Sequence, residues 1–180
     1  MDSPAVVIVQ QFKELIARLT GREFQPEIAD IGDAMEAMQR GIDAANSGRY
    51  KVAIQIFTVV IAAAPNTAGV YQHRGSAFAE SGNHDAAIID YDVSIRLNPS
   101  YPDTYLDRGN SYYARNEFDK SIKDYTEALR LNPRFGEAYA NRAATHVIVG
   151  DEESANADIQ EAHSLGIDRS ALNALIDETR

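Results

Sequence analysis

Charged side chains that could pair with one another or bind a ligand recur at a fixed interval in this sequence. An arginine returns every 34 residues, at Arg40, Arg74, Arg108 and Arg142. An aspartate follows sixteen residues after the last three, and Ile56 takes its place in the first copy. A planar guanidinium binds a carboxylate through two parallel hydrogen bonds, so the arginines form either a basic row for a ligand or internal ion pairs. The co-occurrence favours internal pairing and predicts three structural pairs: Arg74–Asp90, Arg108–Asp124 and Arg142–Asp158.

Residue types that support catalysis or metal binding follow no such pattern. The chain has no cysteine, which excludes disulfides, thiolate zinc sites and cysteine nucleophiles. Its four histidines fall at four different places in the 34-residue period: His73, His84, His146 and His163. No phosphate-binding loop, nucleophile elbow or paired metal motif is present in the sequence. We therefore expect a protein that is not an enzyme and that needs no cofactor and no metal.

The elements that position these side chains repeat with the same period. Aromatic, glycine, small and proline residues recur in register from residue 34 to residue 169 without insertion or deletion. Examples are Gly41, Gly75 and Gly109, then Phe57, Tyr91 and Tyr125, then Pro65, Pro99 and Pro133. In the second copy, apolar residues at helical spacing predict helices over residues 68–82 and 85–97. Gly82 ends the first helix and Pro99 stops the second, so each copy reads as a helical hairpin.

This period and its order of aromatic, Gly, Ala, aromatic and Pro resemble the tetratricopeptide repeat (TPR) family. The resemblance covers four tandem repeats, at residues 34–67, 68–101, 102–135 and 136–169. It implies an all-α fold, an α-solenoid of four helix hairpins. Such hairpins cannot bury their apolar faces alone, so stacked copies share a core. The family is a binding scaffold, and its fold leaves the identity of the partner open.

The two ends of the chain lie outside the repeats. Residues 170–180 carry Leu172, Leu175 and Ile176 and predict a short C-terminal capping helix. Residues 1–33 predict an amphipathic helical extension with an apolar stripe that includes Phe12 and Leu15. A second apolar row runs from Ile28 into the first repeat, and two such stripes favour mutual burial. The extension either caps or docks on the first repeat within one chain, or docks on a second chain, which makes a homo-oligomer through the N-terminal helix possible.

The resemblance also implies where a partner binds. In TPR proteins the first helices of successive repeats line a concave groove, and their side chains contact the partner. The candidate partner-binding residues are Met38, Ile42, Gln72, His73, Ser76, Asp103, Asp107, Asn110, Tyr113, Glu137 and Asn141. This surface is apolar at one end and polar to acidic at the other. Side-chain amides such as those of Asn110 and Asn141 can bond the backbone of an extended peptide without demanding a sequence.

One well-understood family mechanism does not fit this surface. Some TPR co-chaperones hold the carboxylates at the C-terminus of a chaperone with a clamp of Lys, Asn and Arg. The clamp positions counted from the first repeat are Met38, Ile42, His73, Asp103 and Asp107, which supply no cation. Two acids stand where bases are needed and would repel an acidic tail. We therefore expect that this chain does not bind such a tail.

Composition narrows the remaining function classes. The formal net charge is −10, which disfavours nucleic acid as a partner and mildly favours a basic one. No apolar run approaches the roughly 20 residues of a membrane helix, and the first residues do not resemble a secretion signal, so a cytoplasmic protein is expected. The predicted function is a non-enzymatic adaptor that binds a peptide or protein segment in the groove. The alternative is a self-associating scaffold built through the N-terminal helix and the groove.

Overall fold

The computed structural model describes residues 34–168 and residue 170 of the 180-residue chain. Within this range the chain forms eight α-helices and no strand. They are α1 (Ala34–Asn46), α2 (Tyr50–Ala63), α3 (Ala68–Glu80), α4 (His84–Leu97), α5 (Pro102–Ala114), α6 (Phe118–Leu131), α7 (Gly136–Val149) and α8 (Glu152–Ser164). The predicted all-α fold and its eight repeat helices are confirmed. The predicted helices in residues 1–33 and 171–180 lie outside the described residues, and they stay predictions.

Consecutive helices form four hairpins, α1–α2, α3–α4, α5–α6 and α7–α8. A residue with left-handed backbone ends the first helix of each, because this conformation lets the backbone turn back on the helix. It is Gly48 at φ 72°, Gly82 at φ 84°, Asn116 at φ 60° and Gly150 at φ 79°. The next amide closes the turn: Asn83 N–H donates to Phe78 O and Glu117 N–H to Tyr112 O, at 2.8 and 2.9 Å. Asparagine tolerates this backbone better than most residues, which explains how Asn116 replaces glycine.

The two helices of a hairpin approach closely where a glycine faces an aromatic ring. A Cβ atom on Gly75 would lie 2.7 Å from Tyr91 Cε1, and one on Gly109 would lie 2.7 Å from Tyr125 Cε1. The same relation holds between Gly41 and Phe57, at 2.5 Å. In the fourth hairpin Ala143 replaces the glycine and Ile159 replaces the aromatic residue. The larger residue on the first helix is thus matched by a smaller side chain on the second. The aromatic rings therefore fit only because the residues that face them are glycines, which have no Cβ atom.

The chain divides into two compact units, of which the first ends at Leu97 and the second begins at Asn98. Each described unit contains two hairpins, and the division falls at the end of α4, four residues before the predicted boundary between the second and third repeats. In the first unit α2 packs against α3, and the core is built around the buried residues Phe57, Val59, Val60 and Val70. In the second unit α6 packs against α7, and Tyr125, Ala128 and Ala143 are buried. Each unit therefore buries apolar side chains between its own hairpins.

Candidate functional site

All three arginine–aspartate pairs that the spacing predicts are present as bidentate ion pairs. Arg74 donates from Nε and Nη2 to the two carboxylate oxygens of Asp90, both at 2.7 Å. The same two contacts join Arg108 to Asp124 at 2.7 and 2.7 Å, and Arg142 to Asp158 at 2.8 and 2.7 Å. The aspartate side chains are 4–8% exposed and the arginine side chains 18–19%. These guanidinium groups bridge the helices of one hairpin, so they do not form a basic row for a ligand.

The same guanidinium groups also make contacts outside their aspartates. Arg74 Nη1 donates to Thr58 Oγ1 at 3.1 Å, and Arg142 Nη1 donates to Thr126 Oγ1 at 2.9 Å. The hydroxyls belong to the second helix of the preceding hairpin in the same unit. Hydrogen bonding to Asp158 raises the pKa of Arg142 above its usual value. Arg74 and Arg142 therefore each tie two hairpins of their unit together.

The second unit contains a chain of three hydrogen-bonded side chains, from Asn110 on α5, Tyr125 on α6 and Asn141 on α7. The Tyr125 hydroxyl donates to Asn110 Oδ1 at 2.8 Å, and Asn141 Nδ2 donates to the same oxygen at 2.9 Å. Because Asn110 Oδ1 accepts both bonds, the orientation of the Asn110 amide is set, with Nδ2 on its other side. Among the described residues, neither amide makes another hydrogen bond. The arrangement therefore leaves two donor hydrogens on Asn110 Nδ2 and an acceptor on Asn141 Oδ1.

Tyr125 holds this arrangement because its hydroxyl stays protonated. The side chain is 1% exposed, and burial raises the pKa of its hydroxyl far above the usual value. The negative charges of Asp124 and Glu137 raise this pKa further. A neutral phenol keeps its hydrogen as a donor, so Asn110 Oδ1 remains the acceptor at any physiological pH. An open cavity of about 140 Å³ lies beside these groups, lined by Asn110, Tyr113, Tyr125, Asn141 and Ala144.

The acidic side chains predicted for this surface lie on the same two helices. Asp103 and Asp107 are one turn apart on α5, and Glu137 is in the first turn of α7. The carboxylate of Asp103 raises the pKa of the Tyr101 hydroxyl, with contributions from burial and from Asp107. Glu137 is exposed. The polar surface of the second unit is therefore negative as well as rich in side-chain amides.

Predicted surface residues of the first unit are partly used for packing. Met38 and Ile42 are half-buried and pack against the core, whereas Met35 is 79% exposed. The His73 ring stacks on Phe57 with centroids 5.8 Å apart, and burial lowers its pKa below 6.5.

Ser76 occupies the repeat position of Asn110 and carries a hydroxyl in place of the amide. Ser76 receives a hydrogen bond from the Tyr91 hydroxyl at 3.3 Å, and its own hydroxyl donates to Gln72 O at 3.1 Å. The first unit therefore presents shorter polar groups beside an apolar end.

The structure brings three of the predicted residues, Asn110, Tyr113 and Asn141, to one cavity. Sequence reasoning missed Tyr125 and Ala144, because Tyr125 matches the core aromatics Phe57 and Tyr91 and Ala144 is a small helical residue. The tyrosine hydroxyl could have indicated Tyr125. Phe57 shows that a ring without a hydroxyl can fill this repeat position, so the hydroxyls of Tyr91 and Tyr125 must have another role. A buried tyrosine usually bonds its hydroxyl to a partner, which points to Ser76 and Asn110.

Two further observations concern other kinds of site. In the part of the chain that the structure describes, no group of three His, Cys, Asp or Glu side chains is placed to hold a metal ion. None of the described helices has the length and apolarity needed to cross a bilayer.

Comparison with known proteins gives family and structural relatives. A family described as tetratricopeptide repeat matches residues 102–135, and one described as TPR repeat matches residues 75–114. No curated protein sequence matches the chain. The crystal structure of MamA superposes with a TM-score of 0.72 at 22% identity, over 87% of this chain and 85% of that one. A MamA fragment from Desulfovibrio magneticus RS-1 has a TM-score of 0.70 at 18% identity, over 91% of this chain and 96% of that one.

A further similar structure contains a peptide. It is the first TPR of Spaghetti (RPAP3) bound to the HSP90 peptide SRMEEVD, with a TM-score of 0.64 and 26% identity. The alignment covers 67% of this chain and 96% of that one. The MamA structures support the fold, and the two family matches fall on the repeats that the 34-residue period predicts. Residues 75–135 are therefore tetratricopeptide repeats, in the register that the 34-residue period predicts.

Proposed function

We propose that this chain is a non-enzymatic adaptor that binds an extended peptide or protein segment on the first helices of its repeats. The observation that carries the proposal is the bond between Asn110 and Asn141 beside the cavity of the second unit. Asn110 Nδ2 can donate to a backbone carbonyl, and Asn141 Oδ1 can accept from a backbone N–H. These are the two groups that every non-proline peptide unit presents, so the contact demands no particular side chain.

The charge of the second unit selects among the segments that can bind. Asp103, Asp107 and Glu137 make an acidic second unit, so a neutral or basic segment is favoured over an acidic one. The peptide bound to the RPAP3 repeat, SRMEEVD, ends in acidic residues. This chain has Asp103 and Asp107 at two places where a carboxylate clamp needs cations, which supports the expectation that it does not bind such a tail. Its partner is a protein and not a nucleic acid, and cytoplasmic localisation is part of the same proposal.

The substitution Asn110→Asp tests the peptide contact, because it changes one side-chain NH₂ group to an oxygen. Asn110→Asp keeps the oxygen that accepts from Tyr125 and Asn141 but replaces the free NH₂ donor with a second acceptor. Asn156→Asp, at an exposed asparagine on α8, adds the same charge elsewhere in the unit and serves as the matched control. We expect Asn110→Asp to weaken binding to short synthetic peptides that the wild type retains, by roughly tenfold or more. Equal binding by Asn110→Asp and Asn156→Asp would contradict the proposal.

Asn110→Ala and Asn141→Ala complete the test. Both should weaken binding. Asn110→Ala should also lower the free energy of unfolding by about 1–3 kcal/mol, because it leaves the buried Tyr125 hydroxyl without its acceptor. Asn141→Ala leaves no buried partner unsatisfied and should change this free energy by no more than about 0.5 kcal/mol. A loss of stability with intact binding would instead make the two amides structural.

Self-association is the second candidate function. The observation in its favour is the apolar end of the first unit, where Met35 is 79% exposed beside the half-buried Met38 and Ile42. Mass measurement in solution separates the two functions. A monomer whose mass does not change with protein concentration favours the adaptor, whereas a stable homo-oligomer that dissociates on Met35→Ser favours the scaffold.

A further inference from the structure

The cavity of the second unit lies between two helix faces that a ligand can reach. On α5, Asn110 and Tyr113 are three residues apart and share one face, and on α7, Glu137 and Asn141 are four residues apart and share another. Asn110, Tyr113 and Asn141 line the cavity, and each is partly exposed. The accessible part of the cavity is therefore an aromatic ring beside two amides.

The ring of Tyr113 is held in place on this wall by the first residue of α6. Its centroid lies 5.8 Å from that of Phe118, and the two planes are at 70° to each other. An edge-to-face contact of this kind is a favoured arrangement of two aromatic rings. The face of such a ring attracts a cation that approaches within roughly 6 Å of the centroid.

A carboxylate stands one helical turn from the cavity. Glu137 is exposed, and it makes no ion pair or hydrogen bond with the residues that the structure describes. Burial raises the pKa of the Tyr125 hydroxyl, and the charge of Glu137 raises it further, so the field of this carboxylate extends to the cavity that Tyr125 lines. Asn141 Oδ1 adds an acceptor, because the bond to Asn110 uses only the NH₂ group of Asn141. The cavity therefore combines uncharged walls with a negative field.

The chain's own arginines show which side chain such a set of groups can hold. The guanidinium carbon of Arg142 lies 5.7 Å from the centroid of Tyr139. Its nitrogens donate to both carboxylate oxygens of Asp158 and, at 2.9 Å, to Thr126 Oγ1. Arg74 has the same three kinds of neighbour in the first unit, with a ring centroid 5.9 Å from its guanidinium carbon. An aromatic ring, a carboxylate and an uncharged oxygen thus hold each of these guanidinium groups.

We infer that the cavity of the second unit is the site for an arginine side chain of the bound segment. Tyr113 supplies the ring, Glu137 the carboxylate and Asn141 Oδ1 the uncharged acceptor. The stem of an arginine is apolar and its guanidinium is planar, so it packs on a ring while its N–H groups donate to oxygens at its edge. Lysine carries a point charge on a flexible stem and lacks this planar contact, so arginine is favoured over lysine. The inference rests on the proposed function, in which the Asn110 amide holds the backbone of the same segment.

The probes for this site are four blocked pentapeptides, acetyl-Gly-Gly-Xaa-Gly-Gly-amide, in which Xaa is arginine, citrulline, lysine or leucine. Citrulline keeps the shape of arginine and removes its charge. Two-dimensional NMR of the full chain follows binding, with the largest shifts expected at Asn110, Tyr113 and Asn141. We expect the arginine peptide to bind about tenfold more tightly than the citrulline and leucine peptides, and severalfold more tightly than the lysine peptide. Tightest binding by the leucine peptide, or equal affinity for arginine and citrulline, would overturn the inference.

Two variants test which residues hold the guanidinium. Glu137→Gln keeps the size of the side chain and should reduce the preference for arginine over citrulline from about tenfold to about threefold. Glu152→Gln, at an exposed acid at the start of α8, changes the net charge equally and should leave this preference unchanged. Tyr113→Leu should also reduce the preference, because an aliphatic side chain does not attract a cation as a ring does. Equal effects of Glu137→Gln and Glu152→Gln would show that only the overall charge matters, and would overturn the site.

The backbone contact of the proposed function is measured separately, with the citrulline peptide. Asn110→Asp should weaken the binding of this uncharged peptide, because the variant lacks the NH₂ donor. A citrulline peptide that binds and responds to Asn110→Asp, together with no preference for arginine, would leave the adaptor proposal standing and overturn the arginine site. The absence of shifts at Asn110 and Asn141 with all four peptides would overturn both.

Discussion

Asn141 Nδ2 donates to Asn110 Oδ1 across 2.9 Å and joins the first helices of two successive hairpins in the second unit. The same oxygen also accepts from Tyr125, so one acceptor orients both amides. The orientation of the Asn110 amide therefore depends on Tyr125, a buried residue of α6 that is only 1% exposed. A peptide that binds the two amides should therefore respond to a substitution of Tyr125, even though its hydroxyl is bonded to Asn110 and not to the peptide.

Tyr125→Phe should weaken peptide binding because it removes one of the two bonds that orient the Asn110 amide. The ring volume is kept, so the free energy of unfolding should fall by only about 1 kcal/mol, the net value of a typical hydrogen bond. Tyr91→Phe makes the same change in the first unit, where the hydroxyl meets Ser76, and is the control. Isothermal titration with a bound peptide and chemical denaturation measure the two effects. Equal loss of binding in both variants would mean that Tyr125 has no special role.

Removal of a single partner from a buried ion pair should destabilise the fold strongly. Asp90→Ala leaves the Arg74 guanidinium, 18% exposed, without its bidentate carboxylate. Breaking such a pair costs on the order of 3 kcal/mol, because the remaining charge stays poorly solvated. Replacing both partners together, as Arg74→Met with Asp90→Leu, should cost much less. Urea denaturation of the two variants measures the difference, and a smaller loss for Asp90→Ala than for the double variant would contradict this account.

The glycine–aromatic contact should behave as a coupled pair. Gly75→Ala places a Cβ 2.7 Å from the Tyr91 ring and should destabilise the first unit by roughly 1–3 kcal/mol. Tyr91→Ile should also destabilise it, because it leaves a cavity. Together the two substitutions recreate the Ala143 and Ile159 combination of the fourth hairpin, so their joint cost should be smaller than the sum. A double-mutant cycle measures the coupling, expected at about 0.5–3 kcal/mol, and strict additivity would show that the residues pack independently.

His73 should make stability depend on pH. Burial lowers its pKa in the folded chain below the unfolded value of 6.5, so the unfolded chain binds more protons in this range. Stability therefore falls as pH decreases below about 6.5 and stops falling below the folded pKa. His73→Phe should remove this contribution, whereas His163→Gln, at an exposed histidine, should not. Thermal denaturation between pH 5 and pH 8 checks this prediction, and an unchanged pH profile for His73→Phe would refute it.

The sequence by itself determined the hairpin period and the three ion pairs. These features share a physical reason: each joins residues a fixed distance apart within one hairpin, where helix geometry and turn length decide which side chains meet. Arg74 and Asp90 are sixteen residues apart, so a regular hairpin brings them together whatever surrounds it. The left-handed turn at Gly82 follows from the same local rules.

Only the tertiary structure decided how the candidate sites are built. The sequence marked Asn110 and Asn141 as separate amides, but their shared hydrogen bond depends on how one hairpin packs on the next. The role of Tyr125 depends on where its buried hydroxyl points. Such features are set by the packing of side chains from several helices, which periodicity along the chain does not specify.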